Sequence, residues 1–331
     1  MSIRIAINGF GRIGRNVLRA LYESHRNEKI QLVAINDLEP IEVSAERLKN
    51  DSAHELFACE IAANGDVLMV DGDEIQYSSQ ANPVKLPWKA LKIDVVLECT
   101  GQFTQAEQSY MHCLAGAKKV LISSLSDDKV DATIVYGVNE GDLQADYKIV
   151  SNASCTMNCL AHMLNVFDQS VGVESALSTT LHAYNKEQTL ALSKANSSIG
   201  SPLIPTKTNS PSSIGLILPL LDGKVDGLSI RIPTMNVALV DLTFTSKKET
   251  TVAEVNALIK AAAEACVKDI LKYSEKSLVS ADFMGNSASC IFDASLTKAE
   301  QGRLIKVVAW FDNEWAFSNR MLDTAEAMMS S

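Results

Sequence analysis

At the start of the chain Ile3, Ile5 and Ile7 alternate with Arg4 and Ala6, and a large apolar residue at every second position predicts a β-strand. A glycine-rich turn follows, Gly9-Phe10-Gly11-Arg12-Ile13-Gly14. After it Ile13, Val17, Leu18 and Leu21 recur at the spacing of one helix face. The next strand is predicted at 31–36 and is closed by Asp37, 23 residues after Gly14. Strand-like runs at 94–99, 119–123 and 132–137, with a helical stretch at 105–115, continue an alternation typical of a parallel sheet.

From residue 155 onward the pattern changes. Leu160, Met163, Leu164 and Phe167 mark a helix, and long β-rich runs follow at 174–184, 227–233, 237–246 and 304–310. One clear helix interrupts them at 252–267, with Thr251 as its N-cap and Val255, Leu258, Ile259 and Ala262 on one face. Long strands with few helices predict a mostly antiparallel sheet. Residues 319–329 return to helical spacing, and the Ser, Asn and Pro-rich stretch 194–213 predicts a long loop. The expected architecture is α/β: a Rossmann-type dinucleotide-binding domain over 1–153, with a C-terminal helix at 316–331 packing back on it, and an α+β catalytic domain over 154–315.

Composition narrows the partners. A length of 331 residues suits about two domains. The formal charge of −10, from 30 basic and 40 acidic residues, disfavours nucleic acid and anionic membranes, and the lysine doublets 118–119 and 247–248 are too isolated to form a basic stripe. No run is long and apolar enough for a membrane span, and Met1 leads directly into strand-like alternation with no secretory leader. Seven irregularly spaced cysteines predict reduced thiols and a cytoplasmic setting.

Two constellations carry chemistry. In the strand–turn–helix unit, Gly9 permits a tight turn, Gly11 lets backbone approach a diphosphate and Gly14 lets helix pack on strand, while Asp37 is placed for a ribose. An acidic residue there, with Glu39 nearby, favours NAD over NADP. Thr100-Gly101 closes a later strand at the edge where open α/β sheets bind ligands. The second constellation begins at Cys155, which opens a helix after Ser151-Asn152-Ala153-Ser154. A helix N-terminus favours thiolate, the nucleophilic form, so a depressed thiol pKa is expected. Spacing alone leaves Cys155 open to a buried structural role, and leaves the choice of a partner among the five histidines open too; His182 is singled out by its place in a β-rich run. Cys155, Cys159 and His162 lack the second ligand pair that structural zinc needs.

Assembled, these segments resemble the glyceraldehyde-3-phosphate dehydrogenase family nearly end to end. The resemblance is carried by Ile7 through Arg15, Ala34-Ile35-Asn36-Asp37, Glu98-Cys99-Thr100-Gly101, Ser151 through Cys159, His182-Ala183-Tyr184 and Asp312-Asn313-Glu314-Trp315. Local matches at 86–88, 131–139 and 317–324 are closest to its erythrose-4-phosphate dehydrogenase branch. The resemblance implies Cys155 as nucleophile, His182 as base, and NAD held by the glycine turn with Phe10, Arg12 and Ile13, by Asp37, Thr100, Gly101 and Ser123, by Asn313 at the carboxamide and by Phe317 beside the nicotinamide. It implies anion sites at Arg231 and at Ser154, Thr156 and Thr208, a small phosphorylated aldehyde as substrate, phosphate or water as acyl acceptor, and a homotetramer. Departures from the family pattern are Met157, where a second threonine is usual, Asn185 and Lys186 after Tyr184, Asn209 beside Thr208, and a segment between His182 and Pro205 that is shortened and lacks an arginine. Those departures keep open an unphosphorylated or different aldehyde, or an NAD-binding paralogue with a non-catalytic role.

Overall fold

A computed structural model of the chain describes residues 2–50, 56–126, 129–184, 202–266 and 269–330. Lys186, Lys194 and the first part of the predicted 194–213 loop lie outside them, as does Asn185. The chain divides into two compact units, Met1–Ser154 with Phe317–Ser331, and Cys155–Ala316.

In the first unit nine strands form one sheet: β1 (Ile3–Asn8), β2 (Ile30–Asn36), β3 (Ile61–Asn64), β4 (Val67–Val70), β5 (Asp73–Ser78), β6 (Val95–Glu98), β7 (Lys119–Ile122), β8 (Ala132–Thr133) and β9 (Ile149–Ser151). Their order is β3-β4-β5-β2-β1-β6-β7-β9-β8. β1 pairs in parallel with β2 on one side and β6 on the other, so the chain reverses its direction of winding there. In such sheets the reversal opens a crevice beyond the carboxyl ends of the strands. Ile5, Ala6 and Ile7 have no exposed surface, because helices cover both faces of a parallel sheet. Helix α1 (Arg12–Glu23) buries the predicted stripe of Val17, Leu18 and Leu21, each contributing about 1.5–3 kcal/mol.

Two features of this unit differ from expectation. The run at 132–137 is a strand only over Ala132–Thr133, since Gly137 takes a positive φ and the chain turns away. β3, β4 and β5 form an antiparallel meander that the pattern did not predict. β3 alternates between part-buried and exposed positions and β5 between exposed and buried ones, and with four, four and six residues β3, β4 and β5 are too short for a period to stand out.

The second unit contains helix α4 (Cys155–Ser170), following α2 (Ile41–Lys49) and α3 (Ala106–Leu114) of the first. Leu160, Met163, Leu164 and Phe167 of α4 are fully buried, and Phe167 stacks on Phe244 at 4.9 Å. Here the strands are β10 (Val173–Ala183), β11 (Ile204–Lys207), β12 (Val225–Ile232), β13 (Ala238–Ser246), β14 (Leu271–Ser274), β15 (Cys290–Asp293), β16 (Lys298–Glu300) and β17 (Leu304–Phe311). Most pairings are antiparallel, but β10 runs parallel to β12 and β14 to β15. β11 replaces part of the predicted loop by pairing with β12. Helix α5 (Val252–Ala265) starts at a capping box, in which Thr251 and Glu254 exchange side-chain and backbone bonds.

Helix α6 (Trp315–Ser330) starts earlier than its apolar spacing suggests, because Asp312 caps it: its Oδ1 accepts from the N–H groups of Glu314 and Trp315 at 3.0 and 2.9 Å. Among the described residues no helix is long and apolar enough to cross a membrane.

Candidate active site

The crevice beyond β1 is a cavity of about 280 Å³ lined by Asn8, Gly9, Gly11, Asn36, Asp37 and Thr100 among others. Gly9 has φ +93°, and a Cβ there would meet Thr100 N at 2.6 Å. A Cβ on Gly14 would meet Gly9 O at 2.3 Å, whereas one on Gly11 would meet nothing within 4 Å. Gly9 and Gly14 therefore bring turn, helix and sheet together, and Gly11 faces open space. α1 starts at Gly11 without a capping side chain or an acidic first turn, which suits an anion at its N-terminus. Asp37 is held at the rim: Oδ2 accepts from Phe10 N at 2.5 Å and Oδ1 from Glu39 N at 2.9 Å. Each oxygen keeps a lone pair for a hydroxyl. Arg12 is exposed, Ile13 partly buried and Gly101 exposed at φ +69°, while Ser123 N bonds Glu98 O at 2.9 Å. Phe317 is buried. These groups fit a dinucleotide. Gly14→Ala is expected to weaken NAD binding at least about tenfold, because overpacking shifts turn or helix. Titration with NAD checks this, and unchanged affinity would refute the assigned role of the close approach.

The turn that leads to Cys155 is built with strain. Ala153, fully buried, has φ +57°, a left-handed conformation that costs a non-glycine residue on the order of 1 kcal/mol. Ser151 Oγ accepts from Ala153 N at 3.0 Å and donates to Ser124 O at 2.7 Å, and Thr324 of α6 donates to Asn152 Oδ1 at 2.7 Å. Sequence reading had no signal for this turn, because nothing in an alanine announces a positive φ.

Cys155 is the first residue of α4 and is half-buried. Burial pushes its thiol above the ordinary value, and hydrogen bonds from the Thr156 N–H and hydroxyl together with the Arg231 charge only partly offset it. The expected depressed pKa is thus not what the structure shows: desolvation of the sulfur outweighs the helix terminus. The Thr156 hydroxyl also lies 3.0 Å from His182 Nε2, and so is within hydrogen-bond reach of both sulfur and imidazole.

His182 and Arg231 are partners in the parallel register of β10 and β12, and Arg231 Nη1 donates to Ala183 O at 3.0 Å. Burial, and secondarily the nearby Arg231 charge, lower the His182 pKa to about 4, so the ring is neutral above that pH. An edge contact with Phe311, centroids 5.9 Å apart, fixes its plane. A neutral base beside a thiol and a fixed cation can carry out nucleophilic attack on a carbonyl with proton transfer.

Other predicted groups are placed as follows. Asn313 follows Asp312, whose carboxylate also takes Asn236 Nδ2 at 2.8 Å and Gly285 N at 2.9 Å. Asn313 Oδ1 beside this cap is buried with no hydrogen-bond partner among the described residues, an acceptor that suits a carboxamide N–H. Ser154 is partly buried, Thr208 accepts from Ser210 N at 3.3 Å, and Asn209 is exposed. Met157 is fully buried in the core. Sequence reading missed Asn8, Asn36 and Gln80 of the crevice, although a polar residue ending an apolar strand at Asn8 and Asn36 was the available signal.

Comparison with known proteins matches residues 3–106 to the NAD-binding domain of glyceraldehyde 3-phosphate dehydrogenase and 154–313 to its C-terminal domain. The chain is 50% identical to the plasmid-encoded glyceraldehyde-3-phosphate dehydrogenase of Cupriavidus necator, with 99% of each chain covered. It is 50% identical to that of Pseudomonas aeruginosa, over 100% of this chain and 99% of the relative, and 45% identical to that of Zymomonas mobilis, with 99% of each covered.

Proposed function

The chain belongs to the glyceraldehyde-3-phosphate dehydrogenase family, and from that premise we propose that it oxidises a small phosphorylated aldehyde with NAD through a thioester on Cys155. The observation that carries this reading is the line Cys155–Thr156–His182 with Arg231 beside it. Names of the relatives make glyceraldehyde 3-phosphate the first substrate to test, and the local sequence matches make erythrose 4-phosphate the second.

NAD would be held by the glycine turn, Asp37, Thr100, Gly101 and Ser123 in one unit, with Phe317 beside the nicotinamide and Asn313 at its carboxamide. When bound, it supplies the hydride acceptor. Cys155 Sγ bonds to the aldehyde carbon as its proton passes by way of the Thr156 hydroxyl to His182, and the imidazolium returns a proton to the carbonyl oxygen, which gives a hemithioacetal and leaves His182 neutral. The Cys155 N–H donates to the oxygen as charge develops on it. Neutral His182 then accepts the hydroxyl proton as the carbon is oxidised, which leaves a thioester. Attack by inorganic phosphate releases an acyl phosphate, and attack by water an acid. Arg231 supplies a cation for the substrate phosphate, and Ser154, Thr156 and Thr208 supply hydroxyls for a second anion. The same reading assigns NAD binding to 1–153 and catalysis to 154–315.

Seven free thiols support a reducing, cytoplasmic setting. Exposed Leu177, Leu228 and Leu304 on the second sheet support a homo-oligomer, a tetramer by family resemblance.

NADH formation is the test, with both phosphorylated aldehydes and with glyceraldehyde, each with and without inorganic phosphate. Loss of one charge-assisted anion contact is worth about 1.5–3 kcal/mol, so glyceraldehyde is expected to show a kcat/KM at least about tenfold lower than its phosphate ester. Equal values would turn the assignment to an unphosphorylated substrate, and NAD binding without turnover on any of them to a non-catalytic paralogue.

A further inference from the structure

The Cys155 chemistry makes no use of Glu98 and His112, two titratable side chains with no exposed surface. Glu98 ends β6 and its carboxylate takes four donors. Oε1 accepts from Thr100 N at 2.8 Å and from the Thr100 hydroxyl at 2.5 Å. Oε2 accepts from Asn8 Nδ2 at 2.6 Å and from His112 Nε2 at 3.0 Å. The His112 tautomer is assigned by its other neighbour. Trp88 Nε1 can only donate, and it lies 3.0 Å from His112 Nδ1, so Nδ1 accepts and Nε2 carries the hydrogen that faces Glu98.

From Glu98 the hydrogen bonds run on into the dinucleotide crevice. Asn8 Oδ1 accepts from Asn36 Nδ2 at 2.7 Å, and the Asn36 amide bonds Gln80 at both ends, Nδ2 to its carbonyl at 3.0 Å and Oδ1 from its N–H at 2.9 Å. The Thr100 hydroxyl also accepts from Gln102 N at 3.0 Å. Asn8, Asn36, Gln80, Thr100 and Gln102 all line the crevice. Trp88, His112 and Glu98 thus form a dry, fully bonded support under its polar floor. Every donor that faces Glu98 meets a carboxylate oxygen, so the arrangement is sensitive to any change in donor count.

We infer that Glu98 is a positioning residue for NAD binding, which holds Thr100 and Asn8 in the crevice while His112 and Trp88 fix the direction in which it accepts. The inference rests on the assignment of this crevice to NAD. A carboxamide at position 98 turns an NH₂ group toward donors, so Thr100 or Asn8 must rotate out of place. Removing the Trp88 N–H frees His112 to move its hydrogen to Nδ1 and present a lone pair to Glu98.

NAD affinity, by calorimetric titration, and thermal unfolding without NAD are measured on the unmutated protein, Glu98→Gln, Thr100→Val, the double variant and Trp88→Phe. Glu98→Gln is expected to raise the Kd and the KM for NAD about tenfold, while kcat at saturating NAD changes less than about threefold. Trp88→Phe is expected to raise the Kd about threefold. The double variant is expected to bind no more weakly than the weaker single one, because both remove the same contact. A purely structural role would lower the unfolding temperature and leave the Kd unchanged in folded protein, and that result overturns the inference. If Glu98→Gln does not fold, an unchanged Kd in Trp88→Phe overturns it and a raised one supports it. Absence of NAD binding in the unmutated protein rejects the crevice assignment itself, a different outcome from normal binding that the variants fail to alter.

Discussion

Replacing Cys155 with alanine is expected to lower NADH formation by at least about a thousandfold and to leave NAD binding and folding intact. Only the sulfur is removed, from the first residue of a helix whose position is held by the burial of Leu160, Met163, Leu164 and Phe167. Alanine is the best helix former, so the helix itself is not weakened. On the proposed mechanism no covalent intermediate forms without the thiol, and a substrate bound beside Thr156, His182 and Arg231 would have nothing to attack it. Residual activity within tenfold of the unmutated protein would reject Cys155 as nucleophile. The same residue carries a pH signature. Because burial holds the thiol above its ordinary value, alkylation of the free protein by iodoacetamide is expected to rise about tenfold per unit between pH 7 and pH 8, following the thiolate fraction. A rate already at its plateau at pH 7 would mean that thiolate is the resting form and that the helix terminus outweighs desolvation after all.

His182→Gln is expected to lower kcat by about a hundredfold to ten-thousandfold, the range found for a positioned general base, with a much smaller change in aldehyde KM. Glutamine keeps a group able to bond the Thr156 hydroxyl but cannot take a proton at neutral pH. With a pKa of about 4, His182 is in its accepting form throughout the neutral range, though as a weak base. Its pKa is lowered first by burial and then by the Arg231 charge, and a substrate phosphate placed against Arg231 removes the second cause. The acid limb of kcat, which reports the substrate complex, should therefore lie at higher pH than the acid limb that His182 gives to kcat/KM. A kcat within fivefold of the unmutated protein would remove His182 from the reaction, and coincident acid limbs would remove Arg231 from the phosphate site.

Legibility in the sequence followed the range of the interaction involved. The unit from Ile3 to Asp37 reads directly, because alternation, glycine punctuation and helical spacing are properties of near neighbours. Thr251 reads as a helix start for the same reason, and the structure adds Glu254 as its capping-box partner. The meander β3 to β5 did not read, nor did β11 inside a predicted loop. Such short strands owe their existence to a paired neighbour and not to their own composition. His182 was singled out for its β-rich surroundings, but no local pattern could show that it would stand beside Arg231, 49 positions later, since a parallel pairing decides that.

By itself, then, the chain's sequence determined the two kinds of sheet, the glycine turn that receives a dinucleotide, and a cysteine at the head of a helix, all set by spacing within a few residues. Tertiary structure alone decided the chemical state of that cysteine and its partner. Desolvation and the charge of Arg231 act through space, and they raise the Cys155 thiol and lower His182 in ways that no neighbouring residue announces. It also decided the support beneath the crevice, where Trp88, Glu98 and His112 meet because β6 lies beside β1 and folding brings Trp88 and His112 to Glu98, out of reach of water.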